Sequence, residues 1–206
     1  NLGDLTVASS RLEGNSAATN GGGIYNGEFG NEGTLAITNS TLSINSASNA
    51  GGAIMSGAGT VEITDSTLSD NSASAESTTS NGGGLSNHIY STVTISGVTF
   101  TGNKASYGGA IRNYGNDKPN YDYLGTVNIT NSTFSGNVAF LRGGAITSRG
   151  GKTTLDNSTI VDNTSEGQNG GIFNTTTSVN PMTDTDGILE IRNTIVAANS
   201  GASNPD

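Results

Sequence analysis

The stretch RNYGNDKPNYDYLG, residues 112 to 125, brings together Arg112, Tyr114, Lys118, Tyr121 and Tyr123, with Asp117 and Asp122 between them. A guanidinium and an ammonium beside phenol rings suit two kinds of chemistry. The first is recognition of glycans or proteins, in which rings stack, hydroxyls hydrogen-bond and cations meet acidic groups. The second is proton abstraction from an acidic polysaccharide, with Arg112 or Lys118 as the base of a lyase or hydrolase. A separate motif, TDTDG, places Asp184 and Asp186 two residues apart before Gly187. That spacing resembles half of an oxygen-ligand calcium loop, so these two aspartates are the candidate calcium ligands. Chemistry that needs two histidines or a thiolate is excluded, because His88 is the single histidine and there is no cysteine. Calcium is the one cofactor these residues suggest, and no disulfide framework is available.

The chain of 206 residues carries a net charge of −9, and only 12% of its residues are charged. Without a cluster of Lys and Arg, nucleic acid and anionic membrane surfaces are poor partners. Arg112 directly follows Ile111, and Arg142 and Arg149 flank the glycine strand one coil on, so the three can lie near each other as a base or an anionic-sugar contact, although solvated surface charge is the favoured reading. No apolar run approaches the ~20 residues that span a bilayer, so this segment is expected not to insert into a membrane.

What must position these residues is a repeat. An eleven-residue word such as VNITNSTFSGN recurs from residues 5, 35, 61, 93, 127, 153 and 189, closing on Asn15, Asn45, Asn71, Asn103, Asn137, Asn163 and Asn199. A glycine word such as GGAIRN recurs from residues 21, 51, 82, 108, 143 and 169. Within the longer word, Val61 and Ile63 flank Glu62 and Val127 and Ile129 flank Asn128, the alternation of a half-buried strand. A turn and a second short strand follow, with one apolar residue such as Leu42, Leu68, Phe100 or Phe134 pointing inward. The glycine word supplies a third strand around Ile54, Leu85, Ile111 or Ile146. Two residues past the closing asparagine, Ala17, Ala47, Ala73, Ala105 and Ala139 are expected to tuck inward. With no helical periodicity, the pattern predicts an all-β parallel solenoid of about seven coils, three short strands each, in one domain over residues 1–206. The closing asparagines are expected to take the left-handed conformation at a corner and to hydrogen-bond one another from coil to coil as a structural ladder.

TFTGN and TFSGN resemble the Phe-x-x-Asn motif, and the GGAI at 51, 108 and 143 resembles the Gly-Gly-Ala-Ile motif, of the polymorphic outer membrane protein repeats in chlamydial autotransporter passengers. NSTFSGN with GGGIYN is similar to right-handed parallel β-helix repeat proteins of pectin-lyase-like shape. The resemblance implies a right-handed, single-stranded β-helix and an extracellular or cell-surface location. It also spans adhesins, filament components and enzymes, so it fixes a fold more than a function.

The expected function is therefore a non-enzymatic structural or adhesive module, either part of a cell-surface adhesin passenger or a subunit stacking end to end in an extracellular filament. Open solenoid ends would recruit further strands, making self-association one expected contact and surface glycans or proteins the other. Loops gather after Ile24, Ile111 and Ile172, and the rival enzyme reading places a polysaccharide lyase or hydrolase there. A hydroxyl ladder of Thr41 and Ser43, Thr67 and Ser69, Thr99 and Thr101, and Thr133 and Ser135 raises ice binding as a minor alternative.

Overall fold

Each repeat closes one coil, as seen in a computed structural model that describes residues 1–74, 80–115, 124–175 and 187–202. The coil from residue 91 shows the unit: strands Ser91–Ser96, Thr99–Thr101, Lys104–Tyr107 and Ile111–Tyr114. Each pairs in parallel with the strand at the same place one coil away, and four sheets result, three of seven strands and one of six. The described residues thus hold six four-strand coils and the first three strands of a seventh, a parallel β-solenoid.

The expectation of three strands per coil is corrected to four. The additional sheet is built from pieces such as Ser16–Ala17, Ser46–Ala47 and Ser72–Ala73. Two residues are too few to show an alternation, so a corner and a strand look alike in the sequence. Its inward alanines, Ala47, Ala73, Ala105 and Ala139, are nevertheless buried as their spacing requires.

Register follows the repeat. Leu35 pairs with Val61 and Ile37 with Ile63; Val93 pairs with Val127 and Ile95 with Ile129. Like residues therefore stack in columns, and Phe100 lies on Phe134 with ring centroids 4.8 Å apart and planes 5° from parallel. The core is one continuous apolar strip, with Leu42, Leu68, Leu85, Ile111 and Ile146 fully buried. In the last described coil the same columns come to the surface at Ile191 and Val196.

Three corners of a typical coil are turned by one residue at positive φ. The closing asparagine is not that residue, contrary to the sequence reading. The left-handed position lies one residue earlier, at Gly14, Ile44, Asp70, Gly102, Gly136, Asp162 and Ala198. This leaves the asparagine in ordinary backbone and its side chain free to bond along the rod. The two glycines of GGAIRN have separate reasons. Gly108 has φ 62°, whereas a Cβ on Gly109 would sit 2.3 Å from the Gly144 carbonyl oxygen and 2.6 Å from that of Val138. The first glycine answers a torsion and the second answers the closeness of the neighbouring coil.

Asn45, Asn71, Asn103, Asn137 and Asn163 are completely buried. Each donates from its Nδ2 to the Oδ1 of the next asparagine, at 3.0 Å from Asn45 to Asn71, from Asn71 to Asn103 and from Asn103 to Asn137. Each backbone N–H donates to the same oxygen, as from Asn71 to Asn103 at 3.1 Å. A second ladder stands at the preceding corner, where the N–H of Ser40 donates to Ser66 Oγ at 3.1 Å and that of Ser132 to Ser158 Oγ at 3.2 Å. Val98 takes this place in one coil, and its N–H still donates to Ser132 Oγ.

Candidate functional site

Strand Ile111–Tyr114 belongs to the fourth sheet, and its alternation sets the site. Ile111 enters the core, while the Asn113 amide donates to the Lys152 carbonyl at 2.8 Å and to Thr153 Oγ1 at 3.1 Å. Arg112 therefore faces the outside of the sheet, in a column with Met55, Ser86, Thr147 and Phe173. An outward column on a β-sheet is ordinarily solvated. Here Met55, Ser86, Arg112 and Thr147 are all buried, which corrects the reading of Arg112 as solvated charge.

Part of the cover comes from the residue just before the glycine word. The Arg112 Cζ lies 4.6 Å from the Tyr107 ring centroid and 5.5 Å from that of Tyr114. Tyr114 in turn has the Arg149 Cζ at 5.9 Å and the His88 ring at 5.7 Å. One coil on, Arg142 sits 4.8 Å above Phe173, and its carbonyl accepts a 2.8 Å hydrogen bond from Thr147 Oγ1. The result is a cationic and aromatic cluster on an otherwise acidic rod.

Its electrostatics follow from burial. Desolvation, followed by the charge of Arg149, pushes the Arg112 guanidinium down to about 10, so it stays cationic at neutral pH. Desolvation first and the Arg112 charge second push the His88 imidazole down to about 4, so that ring is neutral there. Cation–π contacts with Tyr107 and Tyr114 offset part of the cost of holding Arg112 out of water. They supply no acceptor for its N–H groups, and Arg112 Nη1 has no hydrogen-bond partner. Among the described residues the salt bridges are Arg11 with Glu13 and Lys152 and Arg192 with Glu190, none of them at this cluster.

Two stretches of the chain match a known repeat. Residues 9–27 and 97–114 match the model of the Chlamydia polymorphic membrane protein repeat. No curated protein and no solved structure matches the chain. The fold and the matches agree: this is a parallel β-solenoid in which two stretches match that repeat. The second matched stretch contains Tyr107, Arg112 and Tyr114, whereas the first has Tyr25 where the second has Arg112.

Of the residues singled out in the sequence, the structure brings Arg112 and Tyr114 together. Lys118, Tyr121 and Tyr123 lie outside the described residues, as do Asp117, Asp122, Asp184 and Asp186. Tyr107, Ser86 and His88 are additions that the sequence reading did not place at the site. The phase of the glycine word carries the signal for Ser86, since GGGLSN and GGAIRN put Ser86 and Arg112 in the same place. The hydroxyl ladder also has its geometry, because Thr41 pairs with Thr67, Thr67 with Thr99 and Thr99 with Thr133. A shallow groove along the third sheet is lined by Ser16, Ser46, Ser48, Ser72 and Ser74 and contains no titratable group.

Proposed function

We propose that this chain is a non-enzymatic structural and adhesive module of a cell-surface protein, a stiff rod that displays side chains along its length. The observation that carries this reading is that two stretches, residues 9–27 and 97–114, match the polymorphic membrane protein repeat and lie within one parallel solenoid. In such a solenoid the buried columns serve the backbone, and positions that break a column are free to serve contact. The half-buried rings of Tyr107 and Tyr114, stacked beside the buried Arg112, and the exposed Arg142 are such positions. Contact with surface glycans or proteins at this cluster suits rings that stack and a cation that pairs with acid. Beads coated with the folded chain are expected to adhere to epithelial cells or immobilised glycans several-fold more than beads coated with the urea-unfolded chain. Equal adhesion of the two across both surfaces would remove the adhesive reading.

A further inference from the structure

Where the third sheet passes into the fourth, strand register lines up residues of the fourth to sixth coils in rows. Tyr107, Arg112 and Tyr114 form the first row, and Arg142, Thr147 and Arg149 pair with them in the second. Gln168, Phe173 and Thr175 follow in the third. Rings and guanidinium groups therefore become neighbours. Arg112 has Tyr107 and Tyr114 beside it, the Arg149 Cζ is 5.9 Å from the Tyr114 centroid, and the Arg142 Cζ is 4.8 Å from that of Phe173. Arg142 is exposed, and Tyr107, Tyr114, Arg149 and Phe173 are half-buried. This face meets solvent although Arg112 within it does not.

No carboxylate stands in these rows. The chain carries a net charge of −9, yet three of its eight Lys and Arg meet here. The charges of Arg149 and Arg142 both bear on Arg112. In the first three coils the same places hold Asn20 and Tyr25, Ala50 and Met55, and Asn81 and Ser86, none of them charged. Arg142 rests on the Phe173 ring, and among the described residues no carboxylate lies within ion-pair distance of it. A confined positive patch on an acidic rod is complementary to acid. The planar fork of an exposed arginine suits a carboxylate or a sulfate, and half-buried rings offer faces on which a sugar can stack. A polymer that repeats an acid group on a sugar ring meets both features. We infer that the fourth to sixth coils bind an acidic polysaccharide across this face, with Arg142 pairing with its acid groups and Tyr107 and Tyr114 stacking against its rings. Arg149 adds to the attracting field. This assignment names a partner for the adhesive reading and rests on it.

Surface plasmon resonance at neutral pH tests it, with the full chain immobilised and polygalacturonate, dextran sulfate, unmodified dextran and polyglutamate passed over it in turn. At least one of the two acidic polysaccharides is expected to bind, more tightly than dextran or polyglutamate, and to weaken as salt screens the exposed charges. Arg142→Ala should weaken binding about tenfold, as loss of a charge-assisted hydrogen bond requires. Arg192→Ala removes the same charge from an exposed position on the first sheet and should leave binding nearly unchanged. Far-UV circular dichroism checks the fold of each variant, and Arg142→Gln decides the matter if Arg142→Ala does not fold. Binding of polygalacturonate alone would assign carboxylates and binding of dextran sulfate alone sulfates; either supports the surface. The inference is overturned if neither acidic polysaccharide binds, or if the Arg142 variant binds no worse than Arg192→Ala. It is also overturned if dextran binds as tightly, or if polyglutamate does, since the face would then read an acidic protein. In each of those cases, beads that still adhere better with the folded chain than with the unfolded one leave the adhesive reading standing without this partner.

Discussion

The asparagine ladder has a direction, and removing its members should reveal it. From Asn45 to Asn163 each side chain donates to the next asparagine and accepts from the one before, its other amide hydrogen going back to a carbonyl such as that of Leu42 or Leu68, so deleting one side chain strands donors on one side only. In Asn103→Ala, the Asn71 backbone N–H loses its 3.1 Å acceptor and the Asn71 amide loses its 3.0 Å one. Both donors are fully buried. At 1–3 kcal/mol for each buried donor left unmade, the cost is about 4 kcal/mol. Asn15 is exposed and stands at the donating end: it gives two hydrogen bonds to Asn45 Oδ1 and receives none along the ladder. Asn15→Ala should therefore cost about 1 kcal/mol, the net value of one hydrogen bond.

Urea unfolding followed by circular dichroism measures the two costs, and amide hydrogen exchange localises them if coils unfold separately. In Asn103→Ala the Asn71 amide should exchange at least tenfold faster, tenfold being 1.4 kcal/mol. The Asn137 amide keeps its acceptor, Asn163 Oδ1 at 3.0 Å, and should lose protection only through the general destabilisation. Equal costs for Asn15→Ala and Asn103→Ala, or equal acceleration at Asn71 and Asn137, would refute a directional ladder.

Three further expectations rest on single positions. His88 falls from 6.5 in the unfolded chain to about 4 in the folded one, so above pH 6.5 both forms are neutral and the residue contributes no pH dependence. Between pH 6.5 and 4 only the unfolded chain takes the proton, and about 3 kcal/mol of stability is lost across that window. Urea midpoints at pH 7.5 and 4.5 should therefore fall less in His88→Gln than in the parent, and identical falls would contradict the buried neutral imidazole. Ile44 has φ 56° while 57% exposed, in a place where Gly14, Gly102 and Gly136 take the same conformation. Ile44→Gly should gain about 0.5–1 kcal/mol, the relief of a left-handed β-branched residue less the added chain entropy, read as a rise in melting temperature. A double-mutant cycle of Phe100→Leu and Phe134→Leu should give a coupling of about 0.5–1.5 kcal/mol for the stacked pair, whereas simple additivity would deny the ring contact.

The long word and the glycine word were legible because each spans enough residues to show a period. Val61 and Ile63 around Glu62 define an inward face, and seven copies define its register. The strand Ser46–Ala47 escaped because two residues cannot display an alternation. The left-handed position was misplaced by one because asparagine suits both roles at that corner. The residue that turns the chain varies among Gly, Ile, Asp and Ala, while the residue that bonds along the rod is constant. Constancy followed the hydrogen bonds and not the torsion. The ladder of Ser40, Ser66, Ser132 and Ser158 was hidden for a related reason, since a serine in a polar turn looks like solvated surface until its partners are in place.

Arg112 shows what a column-by-column reading can and cannot recover. Its place one residue after the inward Ile111 puts it on the outer face. Outward was then equated with solvated, and that step failed. In a single sheet the equation holds because nothing lies over the outer face, but at a solenoid corner the residue before the turn can lie against the sheet the chain is about to enter. Tyr107 precedes Gly108 and still stacks beside Arg112, so the cover arises five residues away along the chain and within one corner. A charged residue in the fifth place of a glycine word, with an aromatic just before that word, is therefore a local signal for a buried cation. Tyr107-GGAIRN carries it, whereas Asn20-GGGIYN and Ala50-GGAIMS do not. Moving the pair tests the idea: Ala50→Tyr with Met55→Arg should place a second guanidinium beside a ring on the same face. If the rule is right, that arginine is protected from guanidine-directed modification; if outward still means solvated, it reacts at the rate of a free side chain.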